Sequence, residues 1–132
     1  MGAAENKQLI QDMFAALSKG NAEAFLGNMA DDVRFTIIGT SKYSGTCNGK
    51  QELIGKVLGP LSAQLEGGIA LTPDNFIAEG DHVVMQAHGK ATTKTGKPYN
   101  NTYCHVFRIA SGKVQEVTEY LDTELITSAF GK

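Results

Sequence analysis

The stretch Pro98–Asp122, PYNNTYCHVFRIASGKVQEVTEYLD, constrains the chain more than any other, because it alternates side chains over two runs separated by a tight-turn sequence. Val, Ile, Phe, Tyr and Thr dominate both runs, and these residues suit a pleated, half-buried surface. The turn is Ala110-Ser111-Gly112-Lys113. Strand side chains point alternately to opposite faces, so Tyr103, His105, Phe107 and Ile109 share one face while Cys104, Val106 and Arg108 share the other. With the odd face buried, His105 lies among aromatic and aliphatic groups and needs a polar partner. Asp122, at the end of the second run, is the candidate partner.

The rest of the chain supplies walls for this hairpin. Leu9, Ile10, Met13, Phe14 and Leu17 recur at spacings of three and four within residues 4–19, which predicts an amphipathic helix ended by Gly20. Asn21 then suits the N-cap of a short second helix carrying Phe25, Leu26 and Met29, which stops at Ala30-Asp31-Asp32. Val33–Ile38 reads as a strand with Phe35 and Ile37 on one face, followed by a glycine- and serine-rich loop, GTSKYSGTCNG, long enough to rim a pocket. From Lys50 to Leu65, Leu53, Ile54, Val57, Leu58, Leu61 and Leu65 define a third helix that Gly59-Pro60 should bend or break. Pro73 within Ile69–Ala78 argues for an edge strand or a bulge there. Turns at Glu79-Gly80-Asp81 and Thr95-Gly96-Lys97 then connect a meander of antiparallel neighbours through His82–Thr93. Leu125, Ile126 and Phe130 at helical spacing predict a closing helix over Thr123–Phe130. The order is α+β, with helices on one face of a curved sheet.

Length and charge narrow the function. A chain of 132 residues suits one domain, residues 1–132, with room for a core and a pocket. A formal net charge of −2 offers no attraction to nucleic acid. No run of eighteen apolar residues and no charged-then-apolar leader is present, so neither a membrane nor a secretory route is expected and a cytoplasmic protein is the default. Cys47 and Cys104 form no Cys-x-x-Cys or zinc-ligand spacing, which predicts free thiols and no metal site. The segment Gly39–Gly49 lacks the lysine-serine ending of a phosphate-binding loop.

Several short motifs, in this order and at these separations, resemble the nuclear-transport-factor-2-like cone fold, and within it the SnoaL-like polyketide cyclases and ketosteroid-isomerase-like proteins. They are Gly20-Asn21, Ala30-Asp31-Asp32-Val33, Tyr43-Ser44-Gly45 with Gly49-Lys50, Gly80-Asp81-His82-Val83-Val84, Gly96-Lys97-Pro98-Tyr99, and Gly112-Lys113-Val114 followed by Glu119-Tyr120-Leu121-Asp122-Thr123. The resemblance covers nearly the whole chain. It implies a cone whose sheet and first helices enclose an apolar cavity, often in a homodimer formed through the outer sheet face, and it implies no single activity.

Tested residue by residue, the resemblance to ketosteroid isomerases weakens. The place of their aspartate base is taken here by Ile37, and their oxyanion hole, a tyrosine plus a protonated aspartate, would map onto Met13 and His105. The SnoaL-like cyclases instead resemble this chain in an aspartate at the end of the last strand and a histidine on the neighbouring strand, which match Asp122 and His105. That match implies Asp122 as general base and His105 as acid or enolate-stabilising donor, acting without a cofactor on a small apolar carbonyl compound. The expected cavity lining is Met13, Phe14, Leu17, Phe25, Phe35, Ile37, Val57, Leu61, Met85, Tyr103, Phe107 and Tyr120 around this pair.

Plainer readings stand beside each of these. Asp122 directly precedes the last helix, where aspartate is a preferred N-cap. His105 could be a core histidine bonded to a backbone carbonyl or to Tyr120. Tyr99 and Asn101 share the parity of His105 and could reach the cavity mouth. His82 and His88 fall on the outer face, and Arg34 and Arg108 should be solvated, which counts against an epoxide hydrolase of this fold. The alternative to an enzyme is a binding module in which the same pocket holds a hydrophobic ligand.

Overall fold

The computed structural model describes residues 2–132. Helix α1 (Ala3–Ser18) and helix α2 (Ala22–Gly27) lead into strand β1 (Met29–Ile37), then strand β2 (Gly45–Asn48) and a helical segment, and finally strands β3 (Ala70–Glu79), β4 (His82–Lys90), β5 (Thr102–Ala110) and β6 (Lys113–Leu121) before helix α5 (Thr123–Phe130). The helical segment comprises α3 (Lys50–Leu53), a π-helical turn (Ile54–Leu58) and α4 (Gly59–Ala63). All six strands form one curved, unclosed sheet in the order β2-β1-β6-β5-β4-β3. The result is the expected α+β cone.

Most elements form for the reasons their sequences suggest. In α1, Ile10, Met13 and Phe14 are buried, and the helix packs across β3 and β4. Asn21 caps α2 by accepting a hydrogen bond from the Ala24 amide at 3.0 Å. Pro73 lies on an edge strand, and the pairing of β3 with β4 shifts between Pro73 and Asn75, so the missing amide disturbs no continuous ladder. The bend expected at Gly59-Pro60 takes the form of the π-turn immediately before it. Proline has no N–H for the carbonyl one helical turn back, and widening that turn lets the helix run on. Gly59 is tightly placed, since a Cβ there would meet the Ile54 carbonyl oxygen at 3.0 Å.

Two features of the sheet were not legible beforehand. Within the loop GTSKYSGTCNG, residues 45–48 pair antiparallel with β1, adding an edge strand that buries Cys47. Strand β1 in turn runs parallel to β6, so the hairpin β5–β6 is central in the sheet and not near its end. Strand β4 ends at Lys90, short of Thr93, and the chain from there to Asn101 is held by the isolated bridges Leu65–Thr93 and Thr92–Pro98 and by turn hydrogen bonds such as the Tyr99 amide to the Ala91 carbonyl at 2.8 Å. Among the described residues no helix is long and apolar enough to cross a membrane.

The decisive irregularity is in β6. Ser111 and Gly112 both have positive φ, 53° and 72°, as a two-residue type I′ hairpin turn requires. From that turn, Ala110 pairs with Lys113 and Ile109 with Val114. The next pair is Arg108 with Glu116, which leaves Gln115 as the extra residue of a β-bulge. A slip of one residue exchanges the two faces of a strand. Beyond the bulge, Val117, Glu119 and Leu121 therefore turn to the concave side, and Tyr120 turns outward and is 46% exposed.

Candidate active site

Inside the cone is an apolar cavity of about 230 Å³. Its floor is the concave face of the sheet, with Phe35 and Ile37 from β1, Tyr103, His105 and Phe107 from β5, and Glu119 and Leu121 from β6. Phe14 of α1 forms one wall, packed edge-on against Phe25 and Phe107 with ring centroids 5.2 and 5.9 Å away. Phe130 of α5 lies edge-on to Tyr43 and Tyr99 at 5.5 and 4.8 Å, which closes one end beside Ile126. The half-buried side chains Leu17, Phe25, Leu26, Leu58, Leu61, Ile69 and Leu71 form the rim.

The chemistry of the cavity is concentrated in one cross-strand pair. His105 and Glu119 are directly opposite in the β5–β6 register, and the His105 Nε2–H donates to Glu119 Oε1 at 2.7 Å. Their side chains are 8% and 15% exposed, so the pair is largely withdrawn from water. The imidazole is stacked between Tyr103 and Phe107, with centroids 5.7 and 5.8 Å away and planes within 23° and 16°. That stacking fixes the ring plane, and the carboxylate fixes which nitrogen carries the proton. Nδ1 of His105 has no hydrogen-bond partner, and Glu119 Oε2 makes no hydrogen bond to the described residues.

The neighbouring polar groups are phenols. The Tyr103 hydroxyl is buried without a hydrogen-bond partner; the nearby Tyr99 hydroxyl influences it electrostatically but does not meet hydrogen-bond geometry. Burial pushes the Tyr103 phenol far above its ordinary value, with Tyr99 and Glu119 adding to the shift, and burial likewise raises Tyr99. Both remain neutral phenols at any physiological pH. Tyr99 is positioned by Asn101, whose Nδ2 donates to the Tyr99 hydroxyl and to the Asp122 carbonyl, each at 3.1 Å. Asn101 Oδ1 accepts from the Asp122 amide at 3.1 Å, so this buried asparagine clamps the start of α5 and does not itself line the cavity.

The structure brings most of the expected site together and corrects part of it. Phe14, Leu17, Phe25, Phe35, Ile37, Val57, Leu61, Tyr103, His105 and Phe107 line the cavity as expected. Asp122 does not. Its side chain is exposed and caps α5 by accepting from the Leu125 amide at 3.2 Å, and it lies outside the lining because the bulge at Gln115 turned even-numbered positions of β6 outward. Tyr120 is misplaced for the same reason. Met13 and Met85 are fully buried, but they belong to the layer where α1 packs on β3 and β4 and line no open space. Glu119 is the residue that sequence reasoning missed. Its signal was there: Val114 and Val117 stand three apart, a break in alternation that marks a bulge, after which Val117-x-Glu119-x-Leu121 share a face.

Arg34 is exposed and Arg108 is paired with Glu116 at 3.1 Å on the outer face, so neither reaches the cavity. His82 and His88 are also outward, bonded to Asp81 and Asp74 at 2.7 and 2.8 Å.

Comparison with known proteins agrees with this architecture. An NTF2-like protein from Burkholderia xenovorans LB400 is 27% identical and superposes with a TM-score of 0.80 over 98% of both chains. TerC, crystallised with polyporic acid, is 25% identical with a TM-score of 0.81 over 96% of this chain and 98% of its own. An LEH-like epoxide hydrolase from M. tuberculosis shares the fold at a TM-score of 0.75, over 96% of this chain and 90% of its own, but at only 14% identity it bears on the fold alone. The model of the SnoaL-like domain matches residues 10–117, most of the chain, and the protein therefore belongs to the SnoaL-like domain family.

Proposed function

We propose that the protein is a small-molecule enzyme of isomerase or cyclase type, in which Glu119 abstracts a proton from the carbon next to a carbonyl group of an apolar substrate. The observation that carries this reading is the His105–Glu119 pair, the one carboxylate and the one imidazole in the lining of an otherwise apolar cavity. Oε1 is held by the His105 Nε2–H, which aims the carboxylate, and Oε2 is left to take the proton. As the C–H bond breaks, its electron pair moves into the C–C bond and the carbonyl becomes an enolate. The carboxylic acid formed on Glu119 then returns the proton to the same or another carbon, which regenerates the carboxylate. The Glu119 side chain keeps 15% of its surface exposed, so the proton it takes up can be replaced from water between transfers.

That TerC, at 25% identity, was crystallised with polyporic acid supports a small organic ligand for this cavity. The half-buried apolar rim also favours a second reading, a binding module that holds a hydrophobic molecule without turning it over. Proton exchange separates the two. Ketones incubated with the protein in D2O should lose α-protons, followed by NMR, and Glu119→Gln should slow exchange by roughly 10²- to 10⁴-fold, the usual contribution of a positioned base. Bound ketone with no exchange in the parent protein would establish the binding module instead. A homodimer formed through the outer sheet face belongs to the same proposal, supported by the exposed Ile77 and Tyr120 on that face, 54% and 46% exposed.

A further inference from the structure

Among the described residues three buried side-chain polar atoms lack partners: Asn6 Oδ1 on α1, which is outside the cavity lining, and two on residues adjacent on one face of β5, the Tyr103 hydroxyl and Nδ1 of His105. Tyr103 and His105 are each only 6% exposed, both line the cavity, and their rings are stacked at 5.7 Å. Leaving a buried polar atom unpaired is costly, and native proteins do so mainly where something else completes the bond. Nε2 of His105 is bound to Glu119 Oε1 and the Tyr99 hydroxyl oxygen accepts from Asn101, while Glu119 Oε2 is the free oxygen assigned to the proton transfer.

We infer that Tyr103 and His105 form a donor–acceptor pair that selects a ligand carrying a carbonyl oxygen together with a hydroxyl group. The Tyr103 O–H, held as a neutral phenol by burial, donates to the carbonyl oxygen. Because the His105 proton sits on Nε2 facing the carboxylate, Nδ1 is a lone-pair acceptor and takes the ligand's hydroxyl hydrogen. Gly89 sets the position of the phenol: a Cβ at residue 89 would lie 3.2 Å from the Tyr103 ring and 2.9 Å from the Ile69 side chain, so glycine is what lets that ring lie back against β4. This assignment rests on the reading of the cavity as the ligand site, and makes Tyr103 a specificity residue of it.

The test is a matched set of probes, ethylbenzene, acetophenone, phenol and 3-hydroxyacetophenone, titrated by NMR into the parent protein, Tyr103→Phe and His105→Phe. The parent should bind 3-hydroxyacetophenone most tightly, with acetophenone and phenol each weaker by roughly tenfold, the worth of one well-placed hydrogen bond in a dry site. Tyr103→Phe should remove the advantage of acetophenone over ethylbenzene while leaving ethylbenzene affinity unchanged, and His105→Phe should remove the advantage of phenol. Tyr103→Phe deletes only an unpaired hydroxyl, so it should melt no lower than the parent, which separates ligand recognition from folding. Equal loss for all probes, or no change in the acetophenone preference, would overturn the inference and leave the cavity standing. Failure of even ethylbenzene to bind the parent would overturn both.

Discussion

His105 and Glu119 meet at 2.7 Å because Gln115 is skipped in the pairing of β5 with β6. Without that skip the turn at Ser111-Gly112 would set His105 opposite Thr118, and Glu119 would face outward with Tyr120 inside. A single unpaired residue, about ten positions along the chain from the histidine, thus decides which acid the cavity contains. The pair's own energetics follow. Glu119→Leu leaves both ring nitrogens of His105 without partners in apolar surroundings and should cost about 2 kcal/mol. Replacing both residues, His105→Leu with Glu119→Leu, should return to within about 1 kcal/mol of the parent, because buried polar pairs are often dispensable for stability. Urea melts of the two single variants and the double variant form a cycle. Strict additivity would mean that the pair is not coupled as its geometry requires.

Asp122 supplies a contrasting case. Its carboxylate caps α5 and is exposed, while Asn101 holds its backbone. Asp122→Ala should therefore lower stability by about 1 kcal/mol through loss of the cap, and Asp122→Asn, which retains the cap, should be close to the parent. Ketone exchange should be unchanged in Asp122→Asn, measured as for Glu119→Gln. A collapse of exchange in Asp122→Asn would restore Asp122 to the chemistry.

These two acids mark what the sequence made legible. The helices, the hairpin and most of the apolar lining follow from periodicity, a pattern spread over many residues, and the edge strand from the missing amide of Pro73. Glu119 lies on β6 and Asp122 one residue past its end, at the cap of α5, and which of them faces the cavity depends on a bulge that the spacing of Val114 and Val117 marks but the turn chemistry does not. Strand β2 escaped for a related reason. Its residues Gly45-Thr46-Cys47-Asn48 have little strand character of their own and become a strand because β1 offers an open edge. Met13 and Met85 are expected in the cavity lining and are instead packed solid between α1 and the sheet, because periodicity cannot tell a packed interior from a hollow one.

Alkaline stability should follow the two buried phenols. Burial holds Tyr99 and Tyr103 protonated in the folded chain, so their folded-state pKa values lie above the unfolded value near 10. Between those values the unfolded chain binds fewer protons than the folded one, and stability falls as pH rises. Each tyrosine adds a slope of up to about 1.4 kcal/mol per pH unit, present above pH ~10 and absent below it. Melts across that range should show a shallower decline in Tyr103→Phe than in the parent. An unchanged slope would mean that Tyr103 ionises without unfolding.

The bulge itself can be edited. Val114 and Glu116 are already in register with Ile109 and Arg108, so deleting Gln115 joins two correctly paired halves. The variant loses the local bend and the bond from Gln115 Nε2 to the Ala110 carbonyl at 3.1 Å, about 1 kcal/mol in all. It should keep His105 opposite Glu119, and with it ketone exchange. Inserting one alanine between Thr118 and Glu119 has the opposite effect: every later residue of β6 changes face, Glu119 leaves the cavity and Tyr120 enters it. Exchange should vanish in the insertion variant although nothing in the lining was substituted. Loss of exchange in a well-folded deletion variant, or its survival in the insertion variant, would show that the register does not place the base.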